Sequence, residues 1–466
     1  RMARWSSRSL LVFVVLSALA FSWASAAPAY QKIGDLPGIA KRDYSFNQYA
    51  GYVNITSTKH MFYWFVESQR NPSKDPVMVW MNGGPGASSL MGFFTEHGPF
   101  RPEPNGKDLS VNPYAWNRIA NIIYLEAPVG VGFSYSEDKK DYVTDDIKTV
   151  KDNYQFLLNW FELFPEFKSN PFFVTGESYG GHYVPELASL ILEGLRNGTN
   201  NINMQGVIVG NPGTNNDWYG SKDEFAYITF LYNHALIPQD SYVAAVNACN
   251  WTNFLPTCSN GAFKHPSKEC TNATSTALSF LPPILDPYDV YSSQCLVPTP
   301  TLEQRQFVKR YTPWHPILKY RSDVGFYPCL ANYMTLYLNE PSVQAALHVK
   351  PTTWKQFGDI LYTNETLDMV PLWYEFATKT TWKNLVFTGD VDSAVPFLDT
   401  QKWINCMNLP LVNPWRPWMH NGQTAGIRQD WKGLSFQTLK GCGHMVPYYC
   451  PELGFVFFEN WLNEIL

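Results

Sequence analysis

The stretch FFVTGESYGGHYVPELASLILEGL, Phe172–Leu195, sets an apolar run against a helical pattern, with a glycine-flanked serine between them. Residues 172–176 read as a short buried strand. After Ser178, the residues Val184, Leu187, Ala188, Ile191 and Leu195 recur at helical spacing. Strand, tight turn and helix form the context in which G-x-S-x-G makes a sharp elbow that lifts a serine oxygen above a sheet. A helix starting there aims backbone N–H groups at negative charge developing beside Ser178. Glu177 fits this picture poorly, because an acid beside a candidate nucleophile opposes the making of another anion.

The rest of the chain repeats the strand-then-turn pattern. VMVW (Val77–Trp80) runs into MNGGPGASS, and NIIYLEAPVGVGFSYS begins at Asn121. GVIVGNPG begins at Gly206, NLVFTGDVD at Asn384 and LSFQTLKGCGH at Leu434. Helical patterns lie between them in VKDNYQFLLNWFELFP and in ELGFVFFENWLNEIL after Pro451. Short, continuous apolar strands alternating with helices predict an α/β fold with a mostly parallel sheet covered on both faces. GYVNITSTKHMFYWFVES, from Gly51, predicts antiparallel strands at the N-terminal edge. Residues 215–327 break the rhythm with four cysteines, two glycosylation sequons and many prolines. They are expected to form a helical cap, stapled by disulfides and inserted into a core made of 27–214 and 328–466. Within them the basic stretch EQRQFVKRY reads as an exposed loop.

The chain has 466 residues, 45% of them hydrophobic, and a net charge of -5. No long basic run is present, which argues against a nucleic-acid partner. Arg1, Arg4 and Arg8 precede an apolar run from Leu10 to Trp23, and Ala24-Ser25-Ala26 follows. This predicts a secretory signal peptide over residues 1–26, with no membrane attachment after its removal. Asn54, Asn197, Asn250, Asn272 and Asn364 head glycosylation sequons. Eight cysteines in an exported chain suggest disulfides, and none has the paired spacing of a zinc site. The expected compartment is oxidising: extracellular, vacuolar or lysosomal. No metal or organic cofactor is expected, and monomer and homodimer both remain open.

A nucleophilic serine needs a base, and an α/β-hydrolase carries its triad in the order serine, acid, histidine. GCGHMVP follows a strand pattern and makes His444 the candidate base. GDVDSAVP follows another and offers Asp390 or Asp392. Asp392 is the choice, since the loop must carry its acid past the strand end; Asp390 is expected to stabilise the turn. His182, one turn into the helix after Ser178, is expected to point away. His420, in WRPWMHNG, has no strand pattern directly before it. Tyr179 is the candidate for one oxyanion-hole N–H. Gly84 in WMNGGPGASS is the candidate for the other, ahead of Gly83, since glycine lets backbone approach a ligand closely.

Five co-ordered motifs resemble the serine carboxypeptidases: WMNGGPGASSLMGFFTEHGPF, NIIYLEAPVGVGFSYS, GESYGGHYVPELA, GDVDSAVPF and GCGHMVP. The resemblance runs from about Ile33 to the C-terminus and is weakest in the insertion. It implies an α/β-hydrolase fold with a helical cap, and removal of single C-terminal residues from peptides or proteins at acidic pH. It also implies a role for Glu177. Together with Trp80, Asn82, Gly83 and Glu96, that residue would bind the terminal carboxylate of the substrate. Two neighbouring carboxyls raise the pKa of at least one of them, so the pair can hold a proton. A protonated carboxyl donates a hydrogen bond to a carboxylate, whereas an ionised pair repels it.

The chain departs from the family where G-C-S-S is usual, since Gly86-Ala87-Ser88-Ser89 stands there. Cys329 looks like the partner of the missing cysteine. It is left either free or paired with Cys406, Cys442 or Cys450. Within the cap, Cys249–Cys258 and Cys270–Cys295 are the expected pairs. Cys442, close to His444, is either structural or a source of thiol sensitivity. Rival readings are an acyltransferase of the same fold, a lyase acting on cyanohydrins, and a non-catalytic partner that stabilises other hydrolases or binds peptides. Asn82 and Glu177 are both present, which favours the peptidase.

Overall fold

The computed structural model describes residues 27–214, 224–251, 267–293, 295, 329–364 and 368–465. The expected signal peptide, Cys258 and the basic stretch of the insertion lie outside the described residues.

The chain builds β1 (Gln48–Asn54), β2 (Lys59–Val66), β3 (Val77–Met81) and β4 (Asn121–Leu125) before its first long helix, α1 (Asp146–Leu163). Then come β5 (Phe172–Glu177), α2 (Gly180–Asn197) and β6 (Met204–Gly210). Three helices follow, α3 (Glu224–Asn233), α4 (Gln239–Ala248) and α5 (Lys268–Leu278). The chain returns through α6 (Leu330–Leu338), α7 (Pro341–Ala346), α8 (Val370–Lys379), β7 (Asn384–Gly389) and α9 (Phe397–Cys406). It ends with β8 (Leu411–His420), β9 (Gln423–Trp431), β10 (Leu434–Leu439), α10 (Val446–Tyr449) and α11 (Pro451–Ile465).

These strands form one sheet in the order β1-β2-β4-β3-β5-β6-β7-β10-β9-β8, and the short strand Tyr135–Ser136 adds to β2. The six strands from β4 to β10 are parallel. β1 and β2 at one edge, and β9 and β8 at the other, run antiparallel. The unbroken apolar runs follow from this arrangement, because a central parallel strand is buried on both faces. In β3, Val77, Val79 and Met81 face one core with α1 and α2, while Met78 and Trp80 face the other with α11. α2 lays Val184, Leu187, Ala188 and Ile191 on the first core and ends at Gly198, whose φ of 68° suits a glycine stop.

The expected N-terminal antiparallel pair is β1–β2. At the opposite edge, the sequence reading found no strand before His420, but β8 runs up to that residue. Pro414 and Pro417 obscured it. Proline is tolerated in an edge strand, where a missing N–H leaves no partner unpaired. Asn421 and Gly422 make the two-residue hairpin turn, both at positive φ (49° and 72°).

Helices α3–α5 enclose a small third core of Ile228, Phe230, Leu231, Ile237, Ala245, Trp251 and Ala277. Val391, from the loop after β7, and Val290 complete it. This part of the chain therefore packs directly on a loop at the strand ends.

Both expected cap disulfides are overturned: Cys249 pairs with Cys270, and Cys295 with Cys329. Cys329 thus finds its partner in the insertion and is neither free nor bonded to Cys406, Cys442 or Cys450. Cys442 and Cys450 bond to each other, and Cys406 is also disulfide-bonded. Four chain-distant cysteines already allow three pairings, and spacing alone does not choose among them. Asn54, Asn197, Asn250 and Asn272 are exposed, and Asn364 is half-buried.

Candidate active site

The turn from β5 into α2 holds Ser178 at a φ of 61°. That left-handed conformation is strained for a serine and is kept only where the surroundings enforce it. Here Ser178 N–H donates to Gly210 O at 3.0 Å, while its carbonyl accepts from Gly181 N–H at 2.8 Å and Gly213 N–H at 3.0 Å. The loop after β3 crosses this turn closely. A side chain at Gly83 would lie 2.3 Å from Tyr179 N and 2.7 Å from Ser178 Cβ. The structure thus brings Gly83 and Tyr179 to Ser178, with Gly84 next along the same loop, and Tyr179 is anchored by its hydroxyl donating to Asp146 Oδ1 at 2.7 Å.

Ser178, Asp392 and His444 all lie just beyond the C-terminal ends of parallel strands, β5, β7 and β10. His444 Nδ1 is 2.6 Å from Asp392 Oδ2, and both residues are buried. Asp392 also accepts from Asn211 Nδ2 at 2.8 Å and from Ala394 N–H at 2.8 Å. With Asp392 accepting, His444 carries its hydrogen on Nδ1 and presents a lone pair at Nε2. Nε2 has no hydrogen-bond partner among the described residues, so the bond to Ser178 is not made. Such bonds commonly tighten only when substrate is bound. Asp390 stands apart and takes the Gly441 N–H at 2.6 Å.

Two supports of this pair escaped the sequence reading. Asn211 directly follows β6 at a φ of 41°, and its Oδ1 accepts from Gly389 N–H at 3.1 Å while its amide holds Asp392. GVIVGNPG carried the only signal, an asparagine in a turn after a strand. Tyr288 comes from the insertion. Its carbonyl accepts from His444 N–H at 2.7 Å, and its ring lies 4.9 Å from the imidazole. Nothing in the sequence tied it to His444.

His182 and His420 take no part. His182 is buried and stacks on Tyr179 at 4.6 Å, and burial pushes it down to about 4. His420 contacts Glu452 at 2.8 Å, near the surface.

Beside the nucleophile, Trp80, Asn82, Glu96 and Glu177 form one buried cluster. Trp80 Nε1 at 2.8 Å and Gly92 N–H at 3.0 Å both donate to Asn82 Oδ1. That fixes the amide so that Nδ2 donates to Glu177 Oε1 at 2.7 Å and to Glu96 Oε1 at 2.9 Å. A side chain at Gly92 would lie 2.3 Å from Trp80 Nε1, so this approach requires glycine. Burial and the adjoining Glu96 push Glu177 well above the usual carboxylate range. Burial raises Glu96 as well, opposed by its bond to Asn82 and by the nearby Arg101 charge. Arg101 donates to the carbonyls of Thr95 and Glu96 and so pins the turn that carries Glu96. The cation favours an ionised Glu96, which leaves the shared proton on Glu177. His444 acts electrostatically on Glu96 and Asp392 on Glu177, so the cluster and the histidine pair share one site. Among the described residues no group of three His, Cys, Asp or Glu is placed to hold a metal ion.

A parallel sheet with an elbow serine, an acid and a histidine at its strand ends defines an α/β-hydrolase. Residues 37–464 match the family described as serine carboxypeptidase, and the chain belongs to that family of hydrolases. It is 37% identical to serine carboxypeptidase-like 21 of Arabidopsis thaliana, across 97% of this chain and 98% of that one. It is 34% identical to serine carboxypeptidase 1 of Hordeum vulgare, across 94% and 93% of the two chains. The prohormone-processing carboxypeptidase Kex1 of Saccharomyces cerevisiae shares its fold at a TM-score of 0.72 and 18% identity, covering 94% of this chain and 97% of that one. No helix among the described residues is long and apolar enough to cross a membrane.

Proposed function

We propose that this protein removes single residues from the free C-termini of peptides and proteins, at acidic pH, through an acyl-enzyme. Ser178 Oγ attacks the last peptide carbonyl while His444 Nε2 takes its proton. Gly84 and Tyr179 N–H groups stabilise the oxyanion. His444 then gives the proton to the leaving amine, and the terminal amino acid departs. Water, deprotonated by the same histidine, hydrolyses the ester and restores Ser178. Asp392 holds the imidazole in the required tautomer.

The observation that carries this reading is the buried cluster built on Asn82. A hydrolase without interest in a chain end has little use for two buried carboxyls beside its nucleophile. Protonated Glu177 and the Asn82 amide supply donors to a substrate carboxylate. Two such bonds, at about 1.5–3 kcal/mol each, favour a free acid over an amide by about 10²- to 10⁴-fold. As pH rises the pair ionises and repels the chain end, so an acidic compartment of the secretory pathway, vacuolar, lysosomal or extracellular, suits the enzyme.

The test is hydrolysis of one blocked dipeptide, as free acid and as amide, from about pH 4 to pH 8. The expected result is fast cleavage of the acid, fading toward neutral pH, with little cleavage of the amide. Equal cleavage of both would remove the carboxylate site from the mechanism. Cleavage of neither, with acyl transfer to an alcohol acceptor, would move the protein to the acyltransferases.

A further inference from the structure

Glu126, just beyond the end of β4, is fully buried and takes no part in the steps above. Its carboxyl ties three separate stretches of chain together. Oε1 accepts from Ser88 Oγ at 2.5 Å and from Trp354 Nε1 at 2.9 Å, and Oε2 accepts from Phe133 N–H at 2.6 Å. Ser88 belongs to the loop that carries Gly83 and Gly84. Backbone bonds also tie that loop down, Ser88 N–H to Gln356 O and Gly358 N–H to Gly86 O, both at 2.9 Å.

The groups around Glu126 are uncharged. Ser88, Phe133 and Trp354 contribute its partners, and no Lys, Arg or His pairs with it among the described residues. Lys355 and Asp359 pair with each other at 2.5 Å, away from it. Tyr52, from β1, feels its charge and is raised above the usual phenol range, chiefly by burial. A buried acid without a cation is costly to keep unless it organises what surrounds it.

We propose that Glu126 is a positioning residue which, through Ser88, holds the Gly83–Ser89 loop against the Ser178 turn and so sets the geometry of the oxyanion donors. The proposal rests on the carboxypeptidase reading, in which Gly84 supplies one of those donors. Burial lifts Glu126 up to about 7, despite three donors that favour its charged form. At acidic pH it is neutral and the brace carries no buried charge. Toward neutral pH a buried charge with no cation beside it develops under the loop. The chemical step then weakens near neutrality for a reason separate from the chain-end carboxylate. Removal of an oxyanion donor costs about 10²- to 10³-fold in kcat, so a displaced donor is expected to cost about 10- to 100-fold.

The experiment uses a fluorophosphonate, which labels Ser178 without needing the chain-end site. Labelling rates of wild type, Ser88→Ala and Glu126→Gln are measured from pH 5 to pH 8, with kcat and KM for the free-acid dipeptide. Ser88→Ala is expected to lower labelling and kcat at least about tenfold at pH 5, with KM little changed. Glu126→Gln mimics the neutral acid. Its labelling rate divided by that of wild type, a ratio that cancels pH effects common to both proteins, is expected to rise about tenfold between pH 5 and pH 8. A flat ratio together with a wild-type rate in Ser88→Ala overturns the proposal, as does a loss confined to KM. Should Glu126→Gln fail to fold, Ser88→Ala, which removes one hydroxyl, decides alone. Wild type that is neither labelled nor active would instead sink the carboxypeptidase reading itself.

Discussion

At the scale of single residues, the loop after β7 offers two aspartates, and only one meets the histidine. Asp392 accepts hydrogen bonds from His444, Asn211 and Ala394, whereas Asp390 takes one backbone N–H from Gly441. Asp392→Asn would present an amide to Nδ1 and favour the wrong tautomer, at an expected cost of about 10⁴ in kcat. Asp390→Asn keeps an oxygen for Gly441 N–H and is expected to cost less than about tenfold. Steady-state kinetics of the two variants separate them, and a larger loss in Asp390→Asn would exchange their roles. The choice was readable because a strand end followed by an acid dictates which side chain reaches outward. Trp80, Asn82, Glu96 and Glu177 were readable only as a set, from motif resemblance, since Trp80–Asn82, Glu96 and Glu177 sit on three different stretches of chain. The direction of the shared proton was not readable. It depends on the Asn82 hydrogen bond to Glu96 and on Arg101, whose approach to the turn carrying Glu96 no spacing announces.

At the scale of elements, the strand–helix alternation could be read directly, because buried parallel strands are continuously apolar and helices repeat at their own period. The insertion could not be read in the same way. Its segment Asp286–Val290 is the most consequential part that was missed. Pro287 O accepts from Ser393 N–H at 2.9 Å, Ala394 N–H at 3.0 Å and Ser393 Oγ at 2.7 Å. Val290 N–H donates to Val391 O at 3.2 Å, and Tyr288 O holds His444. One short segment therefore clamps the loops that carry both Asp392 and His444. These bonds are mostly backbone contacts, which leave no trace in residue type. Tyr288→Ala keeps the backbone clamp but removes the ring behind the imidazole. It is expected to lower kcat about tenfold with KM little changed, since a loosened base misaligns the proton transfer. An unchanged kcat would show that the backbone bonds alone orient His444.

At the scale of the whole molecule, the buried acids make stability itself depend on pH. Glu96 and Glu177 are raised, Glu126 is raised to about 7, and Asp286 and Asp289 to about 6, all chiefly by burial. A carboxyl whose folded pKa exceeds its unfolded value favours folding when protonated. That contribution is complete below the unfolded value near 4 and is lost as pH climbs through the folded one. For Glu126 alone the loss is on the order of 3 kcal/mol by pH 8, at about 1.4 kcal/mol per unit. Asp430 works in the opposite sense: despite its burial, Arg428 and Arg416 hold it down at about 2, so its contribution is present above about pH 4 and lost only in strong acid. The two trends put maximum stability near pH 4, with stability falling from there as pH climbs toward 8. Thermal denaturation across that range is expected to show Tm dropping by several degrees between pH 5 and pH 8, and dropping less in Glu126→Gln. A Tm that climbs steadily to pH 8 would mean that these carboxyls ionise in the folded protein without penalty. In that case the Glu177 proton, on which the proposed recognition of the chain end depends, would have to be held by bound substrate instead of by burial.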